Sequence, residues 1–364
     1  MVATISYTDT TFVEAVTSAD PLRYDTVLKR VIDANTVGDI GELVRILKWL
    51  YGNAMTRQDS EVPLIVASVR DLGMVMGSLR RFGIQPVTAC PGLEPLLVTW
   101  AEAHHMVPRD TVHHYTTWNP RGPRRRMYTG NEMERHLIAS VCLALPGLAD
   151  AISDCVSLSA TRLDSVMASV QLNSVTAAVH RLVDAIDQVV ANVTGEFFAT
   201  RLRPFFEPVN LNGRDYLGPA AAHVPVAIVD LCLWASDAAC DEYSEFWRTS
   251  AEYGLPGWAS ISEGFESADS VVTRILPLIE DSPNPVVISC AESLGRALKI
   301  LLEFRAKHLV IAKQAYDESV RSYEVGSGGG TIELLHEIVD LTRQQREAVK
   351  SMAQRGSGQK IVTR

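Results

Sequence analysis

The 364-residue sequence has no closely spaced cysteine pair, which excludes two classes of site. Its six cysteines are scattered, at positions Cys90, Cys142, Cys155, Cys232, Cys240 and Cys290. A zinc site or a disulfide framework needs close or regularly repeated spacings, and none is present. The spacing therefore predicts reduced, buried thiols of a cytoplasmic protein.

The sequence also lacks basic charge and long apolar runs. It has 34 Lys and Arg against 43 Asp and Glu, a formal net charge of −9, which argues against a nucleic-acid partner. No apolar run approaches the roughly 18 residues that suggest a membrane span. The first residues are not a signal peptide, because they contain acids and no apolar core. One basic run, Arg121 with Arg124, Arg125 and Arg126, is predicted to be a solvated loop, with contact to an anionic ligand as the alternative.

Common catalytic motifs are missing as well. The sequence contains no HExxH, no GxSxG and no Walker or dinucleotide fingerprint, which disfavours conventional hydrolases and Rossmann oxidoreductases. Two histidine pairs, His104–His105 and His113–His114, resemble metal ligands. Adjacent side chains point in different directions, so each pair offers one ligand at best.

Helical periodicity dominates what is present. Apolar residues recur at three- and four-residue steps, which predicts helices over residues 37–50, 66–79, 134–158, 163–190, 219–236, 291–323 and 331–352. Prolines break this pattern between residues 85 and 126. We therefore predict a mostly α fold with a smaller N-terminal domain, residues 1–125, and a helical catalytic domain, residues 126–364.

His308 is the most informative histidine. It lies on the apolar stripe of the predicted helix 291–323, between Phe304 and Ile311, so its ring must satisfy its nitrogens or bind a metal. A core histidine bonded to a carbonyl is the alternative. Glycines 326 and 328–330 lead into the final helix, where free backbone N–H groups favour a carboxylate or phosphate. Arg201 and Arg203, next to Phe198, offer a further carboxylate contact.

A set of short motifs is spread along the chain from about residue 60 to residue 350. They are Arg70-Asp71-Leu72-Gly73, Pro91-Gly92-Leu93-Glu94-Pro95, Trp118-Asn119-Pro120, Leu202-Arg203-Pro204-Phe205, Tyr216-Leu217-Gly218-Pro219, Leu302–Leu309 and Gly326-Ser327-Gly328-Gly329. Together these motifs resemble the monodechloroaminopyrrolnitrin synthase family, which belongs to the superfamily of haem-dependent tryptophan and indoleamine 2,3-dioxygenases. The resemblance implies an indoleamine 2,3-dioxygenase-like helical bundle that holds haem b.

The resemblance also implies roles for individual residues. His308 falls on the proximal ligand of the haem iron. Tyr316 and Ser327 fall on positions that contact the amino-acid substrate, and Gly326 and Gly328, which flank Ser327, are expected to bind the cofactor. Arg203 falls where the dioxygenases bind the substrate carboxylate, with Arg201 as the alternative, and Phe198 falls in the indole pocket. His136 or Ser140 takes the place of the polar distal residue.

The resulting hypothesis is a haem-dependent oxidative enzyme of natural-product biosynthesis. Its substrate would be tryptophan or a related, optionally halogenated, aromatic amino acid. The reaction would be indole rearrangement to an aminophenylpyrrole or oxygen insertion, with dioxygen or peroxide as oxidant. An external electron donor and the oligomeric state are left open. The alternative hypothesis is a non-enzymatic haem carrier or sensor, which would not need an ordered site for a substrate carboxylate.

Overall fold

The computed structural model describes residues 6–57, 60–219, 225–315, 326 and 328–358. Most of these residues are helical, which confirms the predicted mostly α fold. The strands among them are Val209–Leu211 (β1) and Arg214–Tyr216 (β2), which form one antiparallel hairpin with Val209 opposite Tyr216.

Sixteen α-helices follow one another in the described chain. In the first third they are α1 Thr10–Ser18, α2 Leu28–Val37, α3 Ile40–Ala54, α4 Val62–Arg81, α5 Pro86–Ala89, α6 Leu93–His104 and α7 Val112–Tyr115. The remainder are α8 Glu132–Ser159, α9 Val166–Asn192, α10 Val226–Asp230, α11 Ser236–Ala238, α12 Asp241–Ala251, α13 Trp258–Glu266, α14 Val271–Asp281, α15 Pro285–Ala315 and α16 Ile332–Gly358. Two short π-helices, Phe197–Leu202 and Leu231–Ala235, complete the second part.

The four longest helices form the centre of the bundle. Helix α9 packs against both α8 and α15, and α16 packs along α15. Polar residues start three of them: Asn131 accepts a hydrogen bond from Met133 N before α8, Ser165 caps α9, and Thr331 Oγ1 accepts from Leu334 N at 3.0 Å at the start of α16. The predicted helices 134–158, 163–190 and 331–352 are confirmed as α8, α9 and α16. Helix α8 continues through Pro146.

The proline-rich stretch between residues 85 and 126 contains a helix that the sequence pattern did not predict. Helix α6 spans 12 residues within the segment predicted to be irregular. Pro95 lies in its first turn, where a missing N–H costs no intrahelical hydrogen bond. Its buried face is Leu93, Leu96, Leu97 and Trp100, which follows helical spacing. The prediction of an irregular stretch was therefore wrong for these residues.

Two hydrophobic cores cross the predicted domain boundary at residue 125. One core joins Phe12, Val66 and Trp118 to α8, α9, α15 and α16. The other joins α2, α3, α4 and α6 to Phe205 and Val209. Side chains from both parts contribute to each core. The division into residues 1–125 and 126–364 remains a prediction.

The basic run ends in a buried ion network, which corrects the prediction of a solvated loop at Arg126, whereas Arg121 is exposed as predicted. Arg126 is fully buried and pairs with Asp71 at 3.0 Å, Asp20 at 2.9 Å and Asp25 at 2.6 Å. Asp71 also pairs with the buried Arg70 at 2.9 Å. Burying a charged group is costly in free energy unless the group is paired and hydrogen-bonded, as Arg126 is. Arg126 therefore anchors the segment before α8 to α4 and to the chain after α1.

Two helices, α4 and α8, are long and apolar enough to cross a membrane by length and composition. The most apolar window of α4 is 83% buried inside the protein, and that of α8 is 50% buried. A core helix of a soluble protein passes the same test, and both helices contribute to the two cores. The predicted absence of a membrane partner remains a prediction.

The substitution Arg126→Met should destabilise the fold. Removing one partner from a buried charge network leaves the others uncompensated, so we expect a loss of about 3–5 kcal/mol in the free energy of unfolding. Arg124→Met is the matched control, because Arg124 is 36% exposed and its pair with Asp25 should contribute at most about 1 kcal/mol. Urea unfolding followed by circular dichroism measures both, and equal losses would show that Arg126 acts as a surface residue.

Candidate active site

A cavity of about 290 Å³ lies inside the second part of the chain. Its walls come from α8, α9, α10, α12, α15 and α16, together with the π-helix that begins at Phe197 and the glycine-rich segment before α16. All described lining residues fall between Leu137 and Ile338. Small-molecule sites in proteins are cavities of roughly this size, with mostly apolar walls and a few placed polar groups.

His308 lines this cavity from α15. Its ring stacks on Phe304, with the centroids 5.8 Å apart and the planes 9° apart. The residue is half-buried because its ring faces the cavity, and no hydrogen bond joins it to another described residue. Burial lowers the pKa of His308, and the charge of Arg305 lowers it further, so the ring is neutral at pH 7. A neutral imidazole has a lone pair for a metal.

Arg305 lies three residues before His308 and shares its side of α15. Its guanidinium forms an ion pair with the buried Asp230 and donates to Thr342 Oγ1 at 2.9 Å. Asp230 also accepts from Tyr243 Oη at 2.6 Å and from Trp234 Nε1 at 2.9 Å. These contacts connect α15 and α16 with α10, α12 and the π-helix Leu231–Ala235.

The contacts with Asp230 keep Arg305 charged and Tyr243 protonated. Burial alone would lower the pKa of Arg305, but the charge of Asp230 outweighs it and raises that pKa. Burial and the charge of Asp230 both raise the pKa of Tyr243 well above its usual value, so its hydroxyl remains a donor. Arg305 thus carries a fixed positive charge one helical turn from His308. Sequence reasoning missed this network, although the spacing of Arg305 and His308 was visible.

The glycine-rich segment reaches the cavity beside the start of α16. Gly326 N donates to Gly330 O at 2.8 Å and Gly329 N donates to Gly326 O at 2.9 Å, which closes a tight turn. Gly329 has φ +85°, a conformation that favours glycine. Gly326, Gly328, Gly330 and Thr331 all line the cavity. The predicted loop and His308 therefore border the same space.

Two other predicted residues also line the cavity. Ser140 is buried on α8, and its hydroxyl donates to Leu137 O at 2.8 Å. Phe198 is half-buried and packs on Phe206, with the ring centroids 6.4 Å apart. His136, the alternative to Ser140, is half-buried on the same helix and is not among the lining residues.

The remaining predicted residues are not among the described residues that line the cavity. Arg203 is 8% exposed, forms an ion pair with Glu207 at 2.9 Å and is not among the described lining residues. Arg201 is exposed and does not line the cavity either. Tyr316 and Ser327 fall outside the described residues, so their predicted roles stay predictions.

A family model for monodechloroaminopyrrolnitrin synthase (PrnB) matches residues 41–358. The chain belongs to this family. The matched region contains the whole described cavity lining and most of both cores, so the resemblance found in the motifs is confirmed. Membership makes the protein an enzyme with oxidative chemistry of the kind used in pyrrolnitrin biosynthesis.

The substitution Asp230→Asn should disturb the cavity wall. It keeps the shape of the side chain but leaves the charge of Arg305 uncompensated, which should cost about 3–5 kcal/mol of folding free energy. Tyr243→Phe is the matched comparison, because it removes a single donor and should cost about 1 kcal/mol. Denaturant unfolding of both variants tests this ranking. A loss for Asp230→Asn no greater than that for Tyr243→Phe would mean that the charge of Asp230 does not stabilise the wall.

Proposed function

We propose that this protein is a haem b-dependent oxidative enzyme that acts on tryptophan or a related aromatic amino acid, including halogenated forms. The observation that carries the proposal is the placement of His308. Its neutral ring faces an apolar cavity and makes no hydrogen bond to another described residue. Of the described lining residues, His308 alone has an imidazole, thiol, thioether or amine side chain.

The chemistry of the wall suits haem. Porphyrin supplies four of the ligands to haem iron, so one imidazole from the protein is sufficient. No cluster of three or more His, Cys, Asp or Glu that could hold a bare metal ion occurs among the described residues. The walls are mainly Leu, Val, Ile, Ala and Phe, which suits a flat apolar ring. In this proposal His308 is the proximal ligand.

The amino-acid substrate would lie between the glycine-rich segment and Phe198. The N-terminal end of α16, with Thr331 and Gly330 at the cavity, favours a carboxylate. We assign Ser327 and Tyr316 to the same substrate contact, and Gly326 and Gly328 to contact with the cofactor. Ser140 is the preferred distal polar residue over His136, because Ser140 lines the cavity. Arg203, which is paired with Glu207 through one nitrogen, is assigned to the substrate carboxylate, and Arg201 is the alternative.

Haem would supply the iron chemistry that activates dioxygen or peroxide. The chain's own residues would hold the ring system against the apolar wall, fix its orientation and exclude water, and such positioning accounts for much of catalysis in cofactor enzymes. The product would come from indole rearrangement to an aminophenylpyrrole or from oxygen insertion. We place this catalytic part within residues 126–364 of a cytoplasmic protein.

The substitution His308→Ala should abolish stoichiometric haem binding, because the protein ligand to the iron is lost. His180→Ala is the control, since His180 lies half-exposed on α9 and does not line the cavity. Titration of the apoprotein with haem, followed by its absorption band, measures both. Circular dichroism checks that the helices persist. A full haem complement with an unchanged spectrum in His308→Ala would assign the ligand elsewhere.

Substitutions at the substrate contacts should leave haem in place. Ser327→Ala and Arg203→Leu are each expected to weaken L-tryptophan binding about 10- to 150-fold, the effect of losing one charge-assisted hydrogen bond. The spectral change on adding L-tryptophan to the haem-loaded protein measures the affinity. An unchanged affinity in Arg203→Leu together with a weakened one in Arg201→Leu would transfer the role to Arg201.

A further inference from the structure

Helix α12 presents a continuous face to the cavity. Tyr243, Phe246, Trp247 and Ser250 all line it, at positions three, four and seven residues apart. Tyr243 is committed to Asp230 through its hydroxyl. Ser250 is different, because its hydroxyl oxygen is shielded from solvent and has no hydrogen-bond partner among the described residues.

The missing partner is unusual for a serine inside a helix. Two other serines line the same cavity, and each donates to a carbonyl of its own helix: Ser140 to Leu137 O at 2.8 Å and Ser262 to Trp258 O at 3.0 Å. A buried polar group left without a hydrogen bond costs about 1–3 kcal/mol. The hydroxyl of Ser250 is therefore suited to a partner that enters the cavity.

The position of Ser250 indicates the charge of that partner. The ring of Phe246 packs against Gly330, since a Cβ built on Gly330 would lie 3.2 Å from Phe246 Cε2. Ser250 follows Phe246 by one turn, about 6 Å along the helix axis. This contact brings the cavity face of α12 next to the N-terminal end of α16, which carries positive dipole charge. The acidic residue in the first turn of α16, Glu333, is exposed to solvent, which screens its charge.

We infer that the hydroxyl of Ser250 donates a hydrogen bond to a carboxylate of the molecule in the cavity, in one subsite with the first turn of α16. This inference rests on the proposed function, which supplies two carboxylate sources. Haem b carries two propionates on an otherwise apolar periphery, and the amino-acid substrate carries one carboxylate. The hydroxyl therefore orients whichever carboxylate reaches the end of α16.

The test compares Ser250→Ala with Ser262→Ala, a control that removes a hydroxyl already bonded to a carbonyl, and with Ser250→Thr, which keeps the hydroxyl. Each purified apoprotein is titrated with haem and with haem dimethyl ester, whose carboxylates are blocked. Each haem-loaded protein is then titrated with L-tryptophan and with tryptamine, which lacks the carboxylate. Circular dichroism confirms that every variant is folded.

The expected result is an affinity about tenfold weaker in Ser250→Ala, and near wild type in both other variants. A loss seen with haem but not with its ester identifies a propionate, and a loss seen with L-tryptophan but not with tryptamine identifies the substrate. Equal affinities in Ser250→Ala and Ser262→Ala, or equal losses with the blocked ligands, would overturn the inference while leaving haem binding intact. If wild-type protein takes up no haem, the proposed function and this inference both fail.

Discussion

The structure around the cavity depends on the ion pair between Arg305 and Asp230. Asp230 has no exposed surface, so its charge is tolerated because Arg305, Tyr243 and Trp234 all donate to it. These donors come from three separate elements, and Thr342 adds a fourth through Arg305. Satisfying one buried carboxylate thus fixes the positions of α12, α15 and α16 relative to one another. Since His308 follows Arg305 by one helical turn, the same pair also fixes where that ring enters the cavity.

Local pattern was sufficient to predict the long helices and one histidine that lines the cavity. The apolar stripe of α15 placed His308 on an inward face, and the glycines before α16 predicted an open helix start at the same site; both border the cavity. These predictions rest on periodicity and on backbone geometry within a few residues. Helix α6 was missed because proline was read as a break, although Pro95 lies in the first turn, where proline is tolerated.

Contacts between distant segments could not be predicted in this way. Arg126 lies 55 residues from Asp71, and Arg305 lies 75 residues from Asp230. A single sequence shows each charge without its partner, so Arg126 was interpreted as part of a solvated loop. Arg203 illustrates a different limit: its partner Glu207 is only four residues away, but their ion pair depends on the short 3-10 helix Arg203–Phe206, which the sequence pattern did not predict. The apolar cavity and the unpartnered hydroxyl of Ser250 likewise arise from packing between helices.

The central claim is that His308 and the apolar cavity hold haem beside a site for an aromatic amino acid. The most direct measurement is an absorption spectrum of the purified wild-type protein, ferric and reduced, with and without L-tryptophan. Haem content is quantified on the same sample. The account predicts a Soret band corresponding to about one haem for each chain, and a shift of that band when L-tryptophan is added. No haem after reconstitution would contradict the claim and return His308 to the role of a buried helix residue.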